Sequence, residues 1–352
     1  MLEKNAGKDF KWELPDHENN FKNNSYGYGF KWKSFEDSKF LASLMKEKVL
    51  VRFNKKNLTN NKNSWDLGSI FILKGDNKHI KKTLTKTVDS LSKKFNRNLF
   101  KINSGYSDSG VDLGSQDVKM IKNLNVGILR GSGVSPYNYG EIWYFFEKQL
   151  KYPVTQIPEN KLSEALKSIN TLILPSGSYT LFKSKEKVKL LIEWIKSGGK
   201  IISIGKSIDM LTKNKIFIIT KKSNELKNDP LISYNKSQRN NISNNITGSI
   251  YKVNTDTSHF LNYGLDLYYT LKLSGESYNF LEKGYNAGFL SKNAKPSSGF
   301  VGSNVKDLQK NSLVFGEQKL GEGSIIYFVD NPLFRGFWYS GKILFSNALF
   351  FR

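Results

Sequence analysis

From Asn125 to Ile204, short apolar runs alternate with stretches whose apolar residues recur every three or four positions, and this rhythm restricts the fold more than anything else in the 352 residues. Val126-Gly127-Ile128-Leu129, Val154 to Ile157, Thr171-Leu172-Ile173-Leu174 and Lys200 to Ile204 read as strands. Between them Ile142, Phe145, Phe146 and Leu150 mark one helix and Leu162 to Ile169 a second. Val188, Leu191, Ile192 and Ile195 mark a third, which stops at Gly198-Gly199. Strands that are apolar on both faces and alternate with helices imply a parallel sheet covered on both sides. In such a sheet a ligand sits outside the carboxyl ends of the strands.

One of those ends, Ile201-Ile202-Ser203-Ile204-Gly205-Lys206-Ser207-Ile208-Asp209, has the outline of a nucleophile elbow. The residue at its tip is Gly205, and the chain contains no cysteine. Moving two residues along gives Gly205-Lys206-Ser207-Ile208-Asp209. Ser207 would then be a hydrolase nucleophile, His259 its base, and Asp256 or Asp266 the group orienting the base. Ser207 as the cap of the helix starting there is preferred, because the last glycine of the hydrolase motif is missing. Arg130-Gly131-Ser132-Gly133-Val134-Ser135-Pro136 also joins a strand to a helix. Pro136 replaces the third glycine of the dinucleotide fingerprint, so a tight loop with modest anion affinity is expected instead. Gly131, Ser132, Ser176, Gly177, Gly205 and Lys206 are expected to line one crevice, which is either a small-ligand site or a vestigial pocket.

Ahead of this sheet, Tyr26 to Trp32 alternates as a half-buried strand and Phe35 to Lys46 is helical. Val49 to Phe53 and Ser69 to Leu73 are strands around a polar loop, Asn54 to Ser64. His79 to Phe95 is a helix and Leu99 to Ile102 a strand. The order β-α-β-β-α-β predicts a ferredoxin-like two-layer α+β module. Ser104 to Ser115, rich in Gly, Ser and Asp, separates the two parts. After the elbow, Asn224 to Asn245 reads as a polar loop. Strands are expected at Ser249 to Val253, Tyr268 to Leu273, Tyr285 to Leu290, Ser312 to Phe315 and Ser324 to Val329, and a packed helix over Ile343 to Phe351. Phe334, Phe337, Trp338 and Tyr339 around Arg335 offer a binding face, but core packing is the preferred reading.

The net charge is +23 and almost wholly lysine, spread through every surface segment. Readers of bases and phosphates favour the arginine fork, so this bias argues against nucleic acid and leaves polyanion binding as a separate alternative. The absence of cysteine removes disulfides, thiolate zinc sites and thiol nucleophiles. No apolar run has the length of a membrane span, and Met1-Leu2-Glu3-Lys4-Asn5 is not an apolar leader, so as written the chain is expected in the cytoplasm.

Five segments together resemble a known family. They are Val126 to Ser135, Tyr139-Gly140-Glu141-Ile142-Trp143, Leu172 to Tyr179, Gly248 to Val253, and Asp330-Asn331-Pro332-Leu333-Phe334-Arg335-Gly336-Phe337-Trp338-Tyr339. They are similar to the C-terminal, post-catalytic region of bacterial zinc carboxypeptidases, and the resemblance runs from about Leu14 to the end. It implies a carboxypeptidase A-like metallopeptidase domain ahead of an intermediate segment and a class I glutamine-amidotransferase-like domain of flavodoxin-like architecture with added β structure. Residues 1–23 would be the remnant of the link to the peptidase domain, 24–118 the intermediate α/β domain and 119–352 the amidotransferase-like domain. The family's His-x-x-Glu zinc pair has no counterpart, since the histidines are His17, His79 and His259. The cysteine elbow of the amidotransferases is matched by Ser203-Ile204-Gly205-Lys206-Ser207. The resemblance therefore implies a non-catalytic accessory region with no metal and no cofactor, serving structure or recognition. Its partner would be a metallocarboxypeptidase domain in the same parent or an adjacent chain, periplasmic or secreted if the parent is exported.

Overall fold

The computed structural model describes residues 25–222 and 233–352. The first part runs β1 (Gly27–Phe30), α1 (Phe35–Lys46), β2 (Arg52–Asn54), β3 (Leu58–Asn60), β4 (Asn63–Trp65), β5 (Ile70–Leu73), α2 (Leu84–Phe95), β6 (Phe100–Ile102), β7 (Ser109–Gly110) and β8 (Val118–Met120). Its main sheet has the order β6-β1-β5-β2-β8, antiparallel throughout. Setting β8 aside, the fourth, first, third and second strands of the repeat lie side by side, which is the ferredoxin-like arrangement. α1 begins where Asp37 Oδ2 accepts from the Ser34 N–H (2.7 Å) and hydroxyl (2.8 Å), and Arg97 holds the other carboxylate oxygen at 3.0 Å.

The stretch Asn54 to Ser64 is not the expected loop. It folds back as a β3–β4 hairpin and pairs with β7. Asn61 and Lys62 both take positive φ (56° and 63°), and a two-residue turn of that hand matches the twist of its flanking strands. Likewise β8 extends the first sheet from just beyond the expected separator.

The second part runs β9 (Val126–Arg130), α3 (Pro136–Tyr144) continuing as a π-helix over Phe145–Leu150, β10 (Thr155–Pro158), α4 (Leu162–Ala165), β11 (Thr171–Leu174), α5 (Lys185–Lys196), β12 (Lys200–Ile204) and α6 (Ser207–Leu211). It continues with α7 (Tyr234–Ser243), β13 (Ile246–Thr255), β14 (Tyr268–Lys272), β15 (Tyr285–Leu290), β16 (Pro296–Val301), α8 (Ser303–Lys306), β17 (Ser312–Leu320), β18 (Gly323–Phe328) and α9 (Tyr339–Phe350). Strands β10-β9-β11-β12-β18 are parallel neighbours, the doubly wound order of flavodoxin-like sheets. β17, β15, β13 and β14 extend the sheet in antiparallel pairing, with β16 alongside β13. Of the expected polar loop over Asn224 to Asn245, residues 224–232 lie outside the described residues. Tyr234–Ser243 is helical, and a helix this polar offers no apolar periodicity to detect.

Alternate residues of the parallel strands feed two cores. Leu129, Leu172, Leu174, Ile201 and Ile325 pack with Leu191 and Ile195 of α5. Ile128, Ile173, Ile202 and Ile326 pack with α9, and this second core is continuous with Tyr28, Phe30, Phe40 and Leu41 of the first part. Aromatic rings bridge the join, Phe35 to Phe145 at 5.5 Å and Phe53 to Phe351 at 4.9 Å, and Phe145 in turn meets Phe345 of α9 at 5.1 Å. Asn347 on α9 accepts from the Trp32 indole (2.7 Å) and donates to the carbonyls of Leu261 and Tyr263 (2.8 Å each). The buried Lys200 ammonium donates to the carbonyls of Ala348 (2.7 Å), Leu349 (3.2 Å) and Phe351 (2.8 Å), closing the end of that helix. Burial, with help from the Arg352 charge, pulls the Lys200 ammonium down to about 7.

Asn347→Ala would leave an indole N–H and two carbonyls unpaired in the core, at about 1–3 kcal/mol for each partner lost. Urea unfolding should show a stability loss of about 3 kcal/mol or more, with both parts melting in one transition. Two separate transitions would show that the parts fold independently.

Candidate functional site

The elbow is formed as a backbone, and the residue at its tip has no side chain. Gly205 holds φ +57°, the left-handed conformation required for so abrupt a strand-to-helix turn, and its N–H donates to Phe328 O (2.8 Å). A Cβ at this position would lie 2.9 Å from Ser176 Oγ. The next amide, Lys206 N–H, is the group that would stabilise an oxyanion in an active elbow. Here it donates to Ser176 Oγ at 3.1 Å. That amide is thus paired within the chain itself.

The rest of the expected crevice is divided. Gly177 forms an isolated bridge with Val134, Ser135 N–H donates to Ser176 O (2.8 Å) and Ser178 N–H to Gly133 O (3.0 Å). This contact splits the rim into two cavities, contrary to the expectation of one. Gly131 and Ser132 line the first, about 660 Å³, with Arg130, Pro136 and Glu159. Its glycine loop is not an anion cradle. A Cβ at Gly131 would strike the Glu159 carboxylate, so the room left by that glycine is already taken by an acid. Glu159 Oε2 in turn accepts from Thr180 Oγ1 (2.7 Å) and Leu181 N–H (2.9 Å).

Ser176, Gly205 and Lys206 line the second cavity, about 580 Å³, at the carboxyl ends of β11, β12 and β18. Its wall is organised by Glu141 of α3. The carboxylate accepts from Asn331 Nδ2 (2.5 Å), Arg335 N–H (2.6 Å) and Asn138 Nδ2 (3.4 Å), and Asn138 Oδ1 accepts from Ser176 N–H (2.7 Å). Asp330 accepts from Thr270 Oγ1 (2.8 Å) and pairs with the fully buried Lys272 at 3.2 Å. Tyr278 donates to Asp209 Oδ1 (2.8 Å), and burial followed by the Asp209 charge holds its phenol well above the ordinary range. Sequence reasoning singled out none of Glu141, Asn138, Asp330, Asn331 or Tyr278, although three of them lie inside the segments of resemblance.

Tyr137 (85% exposed) stands at the mouth, beside Phe334 and the Arg335 guanidinium stacked 5.1 Å from that ring. The preferred core reading of this aromatic cluster is corrected for Phe337 and Tyr339, which are 59% and 51% exposed. Trp338 is half-buried and donates to Tyr269 O (2.9 Å).

Ser207 and His259 do not form a catalytic pair. Ser207 is fully buried, its Oγ accepting from Ile204 N–H (2.9 Å) and lying within reach of Ser203 Oγ (2.6 Å), Ile204 O (3.0 Å) and Leu174 O (3.1 Å). It ties the ends of β11 and β12 together, and the expected role as helix cap is also corrected, since no helical amide reaches its side chain. His259 Nδ1 accepts from Leu261 N–H (3.3 Å), which leaves Nε2–H to donate to Glu317 Oε2 (3.3 Å). Asp256 accepts from Ser258 and orients no histidine through its carboxylate. Burial pushes the Glu317 carboxyl up, but the His259 hydrogen bond and nearby positive charge, Lys319 included, outweigh it and the net shift is downward. Among the described residues no group of three or more His, Asp and Glu is placed to hold a metal ion, and no helix is long and apolar enough to cross a membrane.

Neither a comparison with protein families nor one with curated proteins gives a match to this sequence. Among solved structures the chain is similar to a Thermoplasma acidophilum protein described as part of a GMP synthase. The TM-score is 0.41 at 12% identity over 65% of this chain and 94% of that one. It is similar to a ThuA-like protein from Bacteroides uniformis, with a TM-score of 0.38 at 11% identity over 64% and 89%. It is also similar to a glutamine amidotransferase from Thermotoga maritima, with a TM-score of 0.36 at 9% identity over 60% and 76%.

In a chain without cysteine, single thiols report this geometry directly. Gly205→Cys should react with iodoacetamide at least about tenfold faster than the buried Ser207→Cys, at a stability cost of about 1–2 kcal/mol for a side chain in the left-handed region. Equal rates would mean that position 205 does not face the cavity. For Glu317, a depressed carboxyl contributes stability that is complete above its ordinary value of 4.5 and is lost as pH falls through the folded value. The stability gap between wild type and Glu317→Gln in urea should accordingly narrow below about pH 4.5; a gap that stays constant to about pH 3 would show that the ionised carboxylate adds no stability.

Proposed function

We propose that this chain is a non-catalytic recognition region, and that its ligand binds in the elbow cavity. One observation carries the reading: the elbow tip is Gly205, and the amide that would serve an oxyanion is occupied by Ser176 Oγ. A turn so arranged retains the approach to a reaction centre and has neither nucleophile nor a free oxyanion donor. The cavity still has the features of a binding site. Tyr137 and Phe334 offer ring faces at the mouth, and Glu141, Asn138 and Asn331 form a fixed polar wall.

The accessory role beside a metallocarboxypeptidase domain, on the same parent or a neighbouring chain, belongs to the same proposal. What supports it is where the resemblance falls. Four of its five segments meet at this cavity, contributing Ser135, Glu141, Ser176, and Asp330 with Asn331, Phe334 and Arg335.

A fluorophosphonate probe should give no adduct with the purified chain, and zinc with peptide substrates should release no C-terminal amino acid. Labelling that disappears in Ser207→Ala, or peptide turnover abolished by a chelator, would overturn the proposal.

A further inference from the structure

A second cavity, about 450 Å³, lies at the opposite, amino ends of the parallel strands, where the two parts of the chain meet. Three separate stretches bring lysines to it: Lys55 after β2, Lys119 and Lys122 at β8 and just beyond, and Lys319 on β17. Among the described residues none of these four forms an ion pair, whereas Lys56, next in the chain, reaches Asp117 at 2.8 Å. The acids in the lining are Glu317 and Glu322; Glu317 is buried, accepts from His259 and offsets part of the lysine charge at Lys55 and Lys319. Lys200 forms part of the same lining with its three donors spent on α9.

A general lysine bias scatters charge over a surface, where side chains swing apart and solvent screens them within about 8 Å. This cluster instead lines one cavity at the junction of the two modules, with Lys55 half-buried and Lys119, Lys122 and Lys319 exposed. Burial first, and then the charges of Lys119 and Lys319, disfavour the Lys55 ammonium and outweigh the opposing charges of Asp117 and Glu317. Like charges gathered around one concavity repel one another, most strongly where Lys55 is drawn out of solvent, so an opposite charge joining them is favoured.

We propose that this junction cavity binds a small polyvalent anion of the phosphate class, with Lys55, Lys119 and Lys319 as its charged ligands. The site is independent of the elbow cavity and of what that cavity recognises. Binding draws the two modules together through charge, so the anion stabilises the whole chain by mass action. In its absence the mutual repulsion of the lysines opposes the junction.

Pyrophosphate is the probe, titrated calorimetrically into the full chain at low ionic strength and followed in parallel by thermal melting. One saturable site per chain and a concentration-dependent rise in Tm are expected. Lys55→Glu with Lys319→Glu should weaken binding by about tenfold or more and remove the rise. Lys82→Glu with Lys86→Glu, the same change of net charge outside the cavity, should weaken it by less than about threefold. Lys119→Glu, on an exposed edge position, repeats the test should the double variant fail to fold. No saturable binding, or equal weakening by the cavity and control variants, overturns the proposal, because either outcome reduces the effect to bulk charge.

Discussion

Asn347 makes three hydrogen bonds where no water reaches, and together they join two distant lengths of chain to α9. Trp32 comes from the end of the first module's leading strand, and Leu261 and Tyr263 from the turn between β13 and β14. A few residues on, Lys200 at the start of β12 secures the carbonyls that α9 cannot pair for itself. Buried polar groups are costly when unpaired, so these bonds specify one docking of helix on sheet more than they add net stability. The elbow cavity and the junction cavity both depend on that docking. The segment preceding α9 carries Asp330, Asn331, Phe334 and Arg335 to the first, and the helix's own last residues, Leu349 and Phe350, line the second.

The parallel sheet was legible because its central strands are apolar on both faces, although its edge strand β10 exposes Thr155 and Gln156. Thr171–Leu174 and Lys200–Ile204 were expected at the bounds they have. The ferredoxin-like order was legible for the related reason that Leu84 and Val88 keep helical spacing between strand runs. Elements outside the core gave no such signal. β16 is mostly exposed, begins at Pro296 and contains Gly299 at φ +89°, so it reads as irregular chain. The β3–β4 hairpin turns on Asn61 and Lys62, and nothing about a lysine announces a positive φ.

At the site, the elbow was visible because a strand, a glycine and a helix follow one another in sequence. The division of the crevice was not. It depends on Val134 meeting Gly177 across two loops, a contact set by loop shape and by the absence of a side chain at 177. Glu141 likewise looks like any helical surface acid until the fold brings Asn331 and the Arg335 amide to it. Ser207 shows the converse. Its sequence context suggested chemistry or a cap, and its burial between two strand ends allows neither.

Ser176 packs against position 205 and already occupies the neighbouring amide. A side chain arriving at 205 by mutation must therefore displace the Ser176 hydroxyl, and the same movement releases the Lys206 amide. A change at either of the two positions is felt at the other.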